Sequence, residues 1–193
     1  MTSTLRAQRL NQITHAPHSR LDALVKANAP FESRESFARF VLAQFQFQAA
    51  LQAYYSEPGL CALLPDLPQR CRADQARADL LDLGTEVPLV TALPVMNQAR
   101  ALGWLFVSEG SKLGAGFLIK RASAMGLSEG FGARHLGEPA GGRAEGWKQF
   151  ATILNSLPLS SSEEADLDRG ALEAFEHFGE LLGQAYADAP QAC

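Results

Sequence analysis

Apolar positions recur at helical spacing in successive segments of the chain, and β-branched residues are sparse. Leu5 to Ile13 reads as a short helix. Thr14-His15-Ala16-Pro17-His18 leads into a second one, with Pro17 in its first turn, where a missing N–H costs nothing. Leu21, Leu24 and Val25 carry an apolar stripe there, while His18, Asp22 and Lys26 follow at steps of four and share one side. Ser33 is placed to cap a longer helix through Phe37, Phe40, Val41, Phe45 and Leu51 to Tyr55, ended by Pro58 and Gly59. Leu60 to Leu64 predicts a short helical turn, and Asp66 to Leu83 one amphipathic helix stopped by Gly84. Thr85 to Pro94 predicts a loop. A long helix is expected from Val95 to Met125, then a glycine-rich connection from Gly126 to Gly142 and a helix from Arg143 to Leu157. Ser161 with Glu164 forms a capping box for a last helix through Leu167, Leu172, Phe175, Phe178, Leu181 and Leu182. The pattern describes an all-α fold, one domain over residues 1–193, with residues 1–4 and 188–193 expected to be disordered tails.

Composition sharpens this only modestly. A chain of 193 residues, 47% hydrophobic and 20% charged, is long enough for one core, and its abundance of Ala and Leu favours helix. The formal net charge of -4 supplies no basic field for nucleic acid. The most apolar run, Leu102 to Ile119, is interrupted by Ser108, Glu109, Ser111 and Lys112, which argues against a membrane span. Met1 to Arg9 lacks the apolar stretch of a signal peptide, so a cytoplasmic protein is expected. Cys61, Cys71 and Cys193 form no CxxC pair and suggest neither a disulfide framework nor a thiolate metal site.

Candidate chemistry lies in one histidine and one glycine-interrupted helix. Gly103, Gly110, Gly114 and Gly116 fall inside the long predicted helix, each unfavourable by about 1 kcal/mol relative to Ala. Two causes fit: removal of Cβ so that the main chain approaches a flat ligand, with a bend at Gly110 and Gly114, or close packing of two helices through small residues four apart. His18 has Asp22 one turn on, which suits a carboxylate that holds one ring nitrogen and leaves the other for a metal. A solvated His/Asp pair fits the spacing equally. His15 is a rival ligand. His135 and His177 read as surface or satisfied core positions, Trp104 and Trp147 as packing, Lys112 as solvent-facing, and Glu109 as paired with a cation or facing water.

The segments NQITHAPHSRLDALVK (Asn11–Lys26) and GWLFVSEGSKLGAGFLIKR (Gly103–Arg121), in that order, resemble the proximal-histidine and distal-helix regions of bacterial haem oxygenases. The likeness continues through FGARHLGEPAGGRAEGWKQF (Phe131–Phe150), and within the family it extends to the iron-acquisition enzymes of pseudomonads. The resemblance implies haem sandwiched between a proximal helix and a kinked distal one, as cofactor and substrate at once. His18 would be the proximal iron ligand with Asp22 behind it, and Phe106, Gly110, Ser111 and Gly114 would form the distal face. Asn11 and Phe178 would stand at the haem edge, although Phe175 and Phe178 also suit core packing. Propionates call for cations, and Lys26, Lys120 and Arg121 are the candidates. Gln44 and Arg72 are offered as anchors of a distal water network, or are ordinary surface residues. An axial imidazole suits O2 binding, where a thiolate would favour O–O cleavage.

The implied reaction consumes O2 and electrons from an external donor, a ferredoxin or flavin reductase, and yields biliverdin, CO and ferrous iron. Biliverdin would serve iron release or pass to an acceptor such as a bacteriophytochrome. Relatives that cut at the α-meso carbon present a Lys at the Asn11 position and a Tyr at Phe106; both anchors are missing here, which implies a rotated haem and δ or β cleavage. A haem carrier or sensor on the same fold, and a haem-free helical interaction protein, are the other readings of the sequence.

Overall fold

A computed structural model describes residues 5–187, and the expected tails at 1–4 and 188–193 lie outside the described residues. Nine α-helices follow in order among the described residues: α1 (Arg6–Ile13), α2 (His15–Asn28), α3 (Arg34–Tyr55), α4 (Pro58–Leu63), α5 (Leu67–Arg70), α6 (Ala73–Asp82), α7 (Gln98–Ala124), α8 (Arg143–Ser156) and α9 (Ser161–Ala187). A 3-10 turn at Arg134–Leu136 lies in the connection before α8. Thr85 to Pro94 is irregular, as expected.

The aromatic run of α3 is core: Phe37, Phe40, Val41, Leu51 and Tyr55 are buried. α7 lies against α9, and α9 also packs on α2 and α3. What lets α7 and α9 approach is a pair of glycines. A Cβ on Gly103 would collide with the Leu167 carbonyl oxygen and stand 2.6 Å from the Ala171 nitrogen, and a Cβ on Gly170 would collide with the Arg100 carbonyl oxygen. These neighbours are backbone atoms and cannot rotate away, so the helices themselves would have to separate. Gly103→Ala is therefore expected to destabilise by about 2–3 kcal/mol through overpacking, a fall of roughly 5–10 °C in Tm for a chain of this size, read by thermal melting.

Several element boundaries differ from the sequence expectation. The long central helix starts at Gln98 rather than Val95, because Asn97 caps it, accepting from the Arg100 N–H at 2.9 Å while its amide donates to Asp166 at 2.6 Å. The expected helix from Asp66 to Leu83 is divided. Cys71 is extended, and the Arg72 N–H donates to the Gln48 side chain at 3.1 Å, which ends α5 and starts α6 at Ala73. α2 begins at His15, two residues before Pro17, since Thr14 ends α1 and opens α2 directly. Pro58 opens α4 instead of closing α3.

The capping box of α9 stands one residue earlier than the expected Ser161/Glu164. Glu163 accepts from the Ser160 N–H at 2.8 Å, and Ser160 Oγ accepts from the Glu163 N–H at 3.4 Å. Glu164 is instead drawn to α1, where it pairs with Arg6 and Arg9, each at 2.6 Å. The two guanidiniums hold its carboxyl below the ordinary carboxylate range, with the Arg6 hydrogen bond the leading cause. This cluster fastens α1, and through it the start of α2, to α9.

Candidate functional site

A cavity of about 350 Å³ opens between α2, α3, α7 and α9. That is within the range of small-molecule and cofactor pockets, and its walls are mostly apolar. α2 contributes His18, Leu21, Asp22 and Val25 to one side. On the other stand Phe106, Val107, Gly110, Ser111, Leu113, Gly114 and Leu118 of α7. Phe40, Gln44 and Phe47 come from α3, Phe175 and Phe178 from α9, Trp147 from α8, and Asn11 and Thr14 from α1 and its end.

His18 and Asp22 are bridged as their spacing predicts, with Nδ1 3.2 Å from an Asp22 oxygen. The pair is open, with side chains 62% and 58% exposed, so its value for folding is slight. Asp22 engages Nδ1, which leaves Nε2 as the nitrogen available to a metal. The ring lies edge-on to Phe175 at 5.8 Å. Helical pitch produces this geometry, because positions four apart on α2 stand one above the other. His15 is not in the cavity wall.

The four glycines of α7 divide between the two explanations. Gly103 serves helix packing. A Cβ on Gly114 would meet nothing within 4 Å, and one on Gly110 would touch only the Trp147 ring at 3.5 Å, an ordinary contact. Neither glycine is needed for packing against a neighbouring helix, and both face the cavity. Their helix penalty is spent on keeping that wall low.

The opposite side of α7 is held by a buried polar cluster. Glu109 is 3% exposed and accepts from Tyr55 at 2.9 Å, Lys112 at 2.5 Å and Arg70 at 3.2 Å. Ser108 receives the Gln48 amide at 2.8 Å and meets the Tyr55 hydroxyl at 2.7 Å. Glu109 thus pairs with cations, as expected. Lys112 corrects the expectation of a solvent-facing side chain. Only 12% of it is exposed, and it also donates to the Arg70 carbonyl at 2.7 Å. Burial pushes its ammonium below the ordinary lysine value, and Glu109 opposes that shift. Burial, then the Glu109 charge, pushes the Tyr55 hydroxyl well above its ordinary value, so Tyr55 remains a donor.

The other sequence candidates sit as follows. Asn11, Gln44 and Phe178 line the cavity. Lys26, Lys120 and Arg121 are exposed and outside its wall, and Arg121 places its guanidinium 4.3 Å from the centre of the Phe31 ring. Arg72 is also outside that wall, in a smaller adjoining cavity. Trp147, read from sequence as packing alone, lines the cavity with its ring 5.3 Å from Phe106. No local signal marks it, since α8 reaches α7 only through the tertiary fold. His177 is half-buried beside Phe47 and Trp104, and burial lowers its imidazole below the ordinary value.

His135 is buried, and among the described residues only one of its ring nitrogens has a partner. Nδ1 lies 2.8 Å from Asp79, which also accepts from the backbone N–H groups of Arg134 and His135 at 2.8 and 2.9 Å. Burial would raise the Asp79 carboxyl, but the His135 ring and these backbone donors outweigh it and hold the carboxyl below its ordinary 3.8. A depressed carboxyl stabilises the fold fully above its unfolded pKa and loses that contribution as pH falls through the folded value. The urea midpoint is therefore expected to drop below about pH 4, and more shallowly in Asp79→Asn.

A cleft bearing a histidine on one helix and exposed glycine backbone on the helix across from it defines a helical protein suited to an apolar, metal-bearing ligand. Residues 5–184 match the family model "Heme oxygenase", and the chain belongs to the haem oxygenase family. It is 53% identical over 186 residues to the heme oxygenase PigA of Pseudomonas aeruginosa, covering 95% of this chain and 94% of that protein. It is 33% identical over 115 residues to a heme oxygenase of Xanthomonas campestris, covering 58% of this chain and 68% of that one. The crystal structure of the NO- and CO-bound heme oxygenase from Neisseria meningitidis superposes with a TM-score of 0.90 at 36% identity, over 98% of this chain and 96% of that one. The heme oxygenase of Leptospira interrogans, 18% identical with a TM-score of 0.75, shares the fold.

Among the described residues no helix is long and apolar enough to cross a membrane, and no cluster of three or more His, Cys, Asp or Glu side chains forms a metal site. A porphyrin iron, which brings four ring nitrogens and needs few protein ligands, is consistent with one histidine in an apolar cleft.

Proposed function

We propose that this chain, as one domain, binds haem between α2 and α7 and cleaves it with O2 to biliverdin, CO and ferrous iron, opening the ring at the δ or β meso carbon. Haem, when bound, supplies both the iron that activates O2 and the carbon that is oxidised. The observation that carries this reading is the pairing across one cavity of His18, backed by Asp22, with the open glycine face at Gly110 and Gly114.

The chain's own residues have separable tasks in this reading. Asp22 fixes the His18 ring and keeps Nε2 unprotonated for the iron. Gly110, Ser111 and Gly114 bring main chain to the distal face without side-chain bulk, and Phe106 with Trp147 walls it. The Glu109 cluster holds that stretch of α7 from behind. Gln44 and Arg72 anchor a polar network beside the distal face. Lys26, Lys120 and Arg121 stand outside the cavity wall as exposed cations for the propionates, with Arg121 steadied against Phe31. Electrons come from a ferredoxin or flavin reductase, and the product goes to iron release or to an acceptor such as a bacteriophytochrome, in the cytoplasm.

The δ or β reading is supported by what the cleft lacks. Asn11 and Phe106 both line it, and neither offers the charge or hydroxyl that would anchor a propionate. Chromatography of the product is expected to give δ or β biliverdin; the α isomer alone would refute the rotated haem. A Soret band that persisted under O2 and reductant would instead favour a haem carrier or sensor.

A further inference from the structure

A second cavity, of about 80 Å³, lies where α7, the head of α8 and the connection between them meet, beside the Glu109 cluster. It has room for a few water molecules or one small ion, and none for a porphyrin. Four cations line it: Arg70, Arg72, Lys112 and Arg143. Two of these are matched within the protein, Arg70 by Asp66 and Glu109, and Lys112 by Glu109.

Arg72 and Arg143 are not matched. Among the described residues neither meets a carboxylate. Arg143 donates to the Lys112 and Leu136 carbonyls at 3.2 and 2.6 Å, and Arg72 to the Gly137 carbonyl at 3.3 Å. Leu136 and Gly137 are consecutive, so the two guanidiniums are drawn to one short stretch of chain. Arg72 Nε is buried with no acceptor among the described residues. Burial, then the charge of Arg143, pushes the Arg72 guanidinium below its ordinary value, and Glu109 opposes that shift. Two like charges held together and partly withdrawn from water are costly unless an anion joins them.

The fourth glycine of α7 has its use at this place. A Cβ on Gly116 would stand 3.4 Å from Arg143 Nε and 3.6 Å from its Cδ, so the bare backbone there gives the Arg143 side chain its bed. The loop adds donors of its own. Gly141 and Gly142 both line the cavity with positive φ, 90° and 87°, and Gly142 opens α8 with no side-chain cap for the first N–H groups of that helix. The remaining carboxylates of the wall are Asp66, held by Arg70, and Glu145, which is 54% exposed and lies 4.0 Å from Lys148.

We propose that this cavity binds a small free oxyanion of the phosphate class, held between Arg72 and Arg143 at the head of α8. The site stands apart from the main cleft and does not depend on the haem reading. Planar guanidiniums suit an ion with several oxygens, which each can engage through two parallel hydrogen bonds. The volume restricts the ligand to the ion itself, since a nucleotide or lipid would leave most of its bulk outside.

Titration calorimetry with inorganic phosphate, in a cationic buffer at constant ionic strength and with chloride as reference, tests the site. Phosphate is expected to bind with a Kd of about 1 mM or less, and to raise Tm by about 3–5 °C at ten times that concentration. Arg143→Gln keeps an amide for the Leu136 carbonyl and loses the charge, and should weaken phosphate about tenfold or more. Arg121→Gln, which removes an exposed cation elsewhere on α7, should bind phosphate as the wild type does. Phosphate bound no better than chloride, wild-type affinity in Arg143→Gln, or loss in Arg121→Gln alone would overturn the proposal. If Arg143→Gln does not fold, Arg143→Lys keeps the charge without the planar fork; an affinity about threefold weaker is then expected, and wild-type affinity would overturn the site.

Discussion

His18→Ala is expected to lose stable axial haem binding and to lower biliverdin formation by about a hundredfold or more, equivalent to about 2.7 kcal/mol or more in transition-state stabilisation. The fold should barely register the change. His18 is 62% exposed and, among the described residues, its one ion pair is the open one with Asp22, so Tm is expected within about 1–2 °C of wild type. That dissociation of activity from stability distinguishes a ligand from a structural histidine. Asp22→Ala should reduce haem affinity or turnover by about ten- to a hundredfold, because it frees the ring without deleting it. His15 remains in both variants, so retention of turnover in His18→Ala, measured by Soret decay and product chromatography, would move the ligand elsewhere.

Gly114→Leu is expected to act in opposite directions on stability and function. In the haem-free protein a Cβ at this position meets nothing within 4 Å, and replacing a helix-interior glycine by a good helix former contributes about 0.5–1 kcal/mol. Tm should therefore hold or rise, by about 2–3 °C for a chain of this size. The same side chain would project into the cleft on its distal wall and crowd the bound ring, slowing turnover by about tenfold or more. Gly103→Ala, one position in the same helix where the Cβ meets backbone, is expected to do the reverse, lowering Tm with the cleft unobstructed. If Gly114→Leu also melted early, its glycine would be a packing residue and the distal face would have to lie elsewhere. A position where the native residue is worse for the helix than its replacement is the signature of function opposing stability.

Much of this was legible in the chain. Periodicity identified the major helices, and the four-residue step from His18 to Asp22 became a 3.2 Å contact because helical pitch leaves it little alternative. The glycines of α7 drew notice as a local penalty. Their division into one packing contact and an open face was not readable, since it depends on where α9 and α8 come to lie. Lys112 shows the same limit with charge. Its burial requires Glu109 one turn back and Arg70 far away in sequence, and no local pattern reports that a cation will be enclosed. Trp147 and Phe47 line the cleft from helices that the periodicity identified, but no local signal marks either side chain as part of it. The capping register of α9 slipped because both Glu163 and Glu164 satisfy the spacing rule with a preceding serine, and Arg6 and Arg9 on α1 decided between them.

Asp79 and His135 mark a further class of residue that sequence leaves mute. They lie 56 residues apart, in a helix and in a connection, and only their burial side by side gives either one chemical meaning. The cleft on one side of α7 and the buried polar cluster behind it depend on the same stretch: Gly110 and Ser111 line the cleft, while Ser108, Glu109 and Lys112 are held in the cluster.

The most direct measurement is aerobic turnover of the haem-loaded protein with a reductant, followed by absorbance and by chromatography of the product. Loss of the Soret band with stoichiometric appearance of biliverdin in the wild type, and not in His18→Ala, is the expected result. A Soret band that survives the reaction, or turnover undiminished without His18, would contradict haem cleavage in the cleft between α2 and α7.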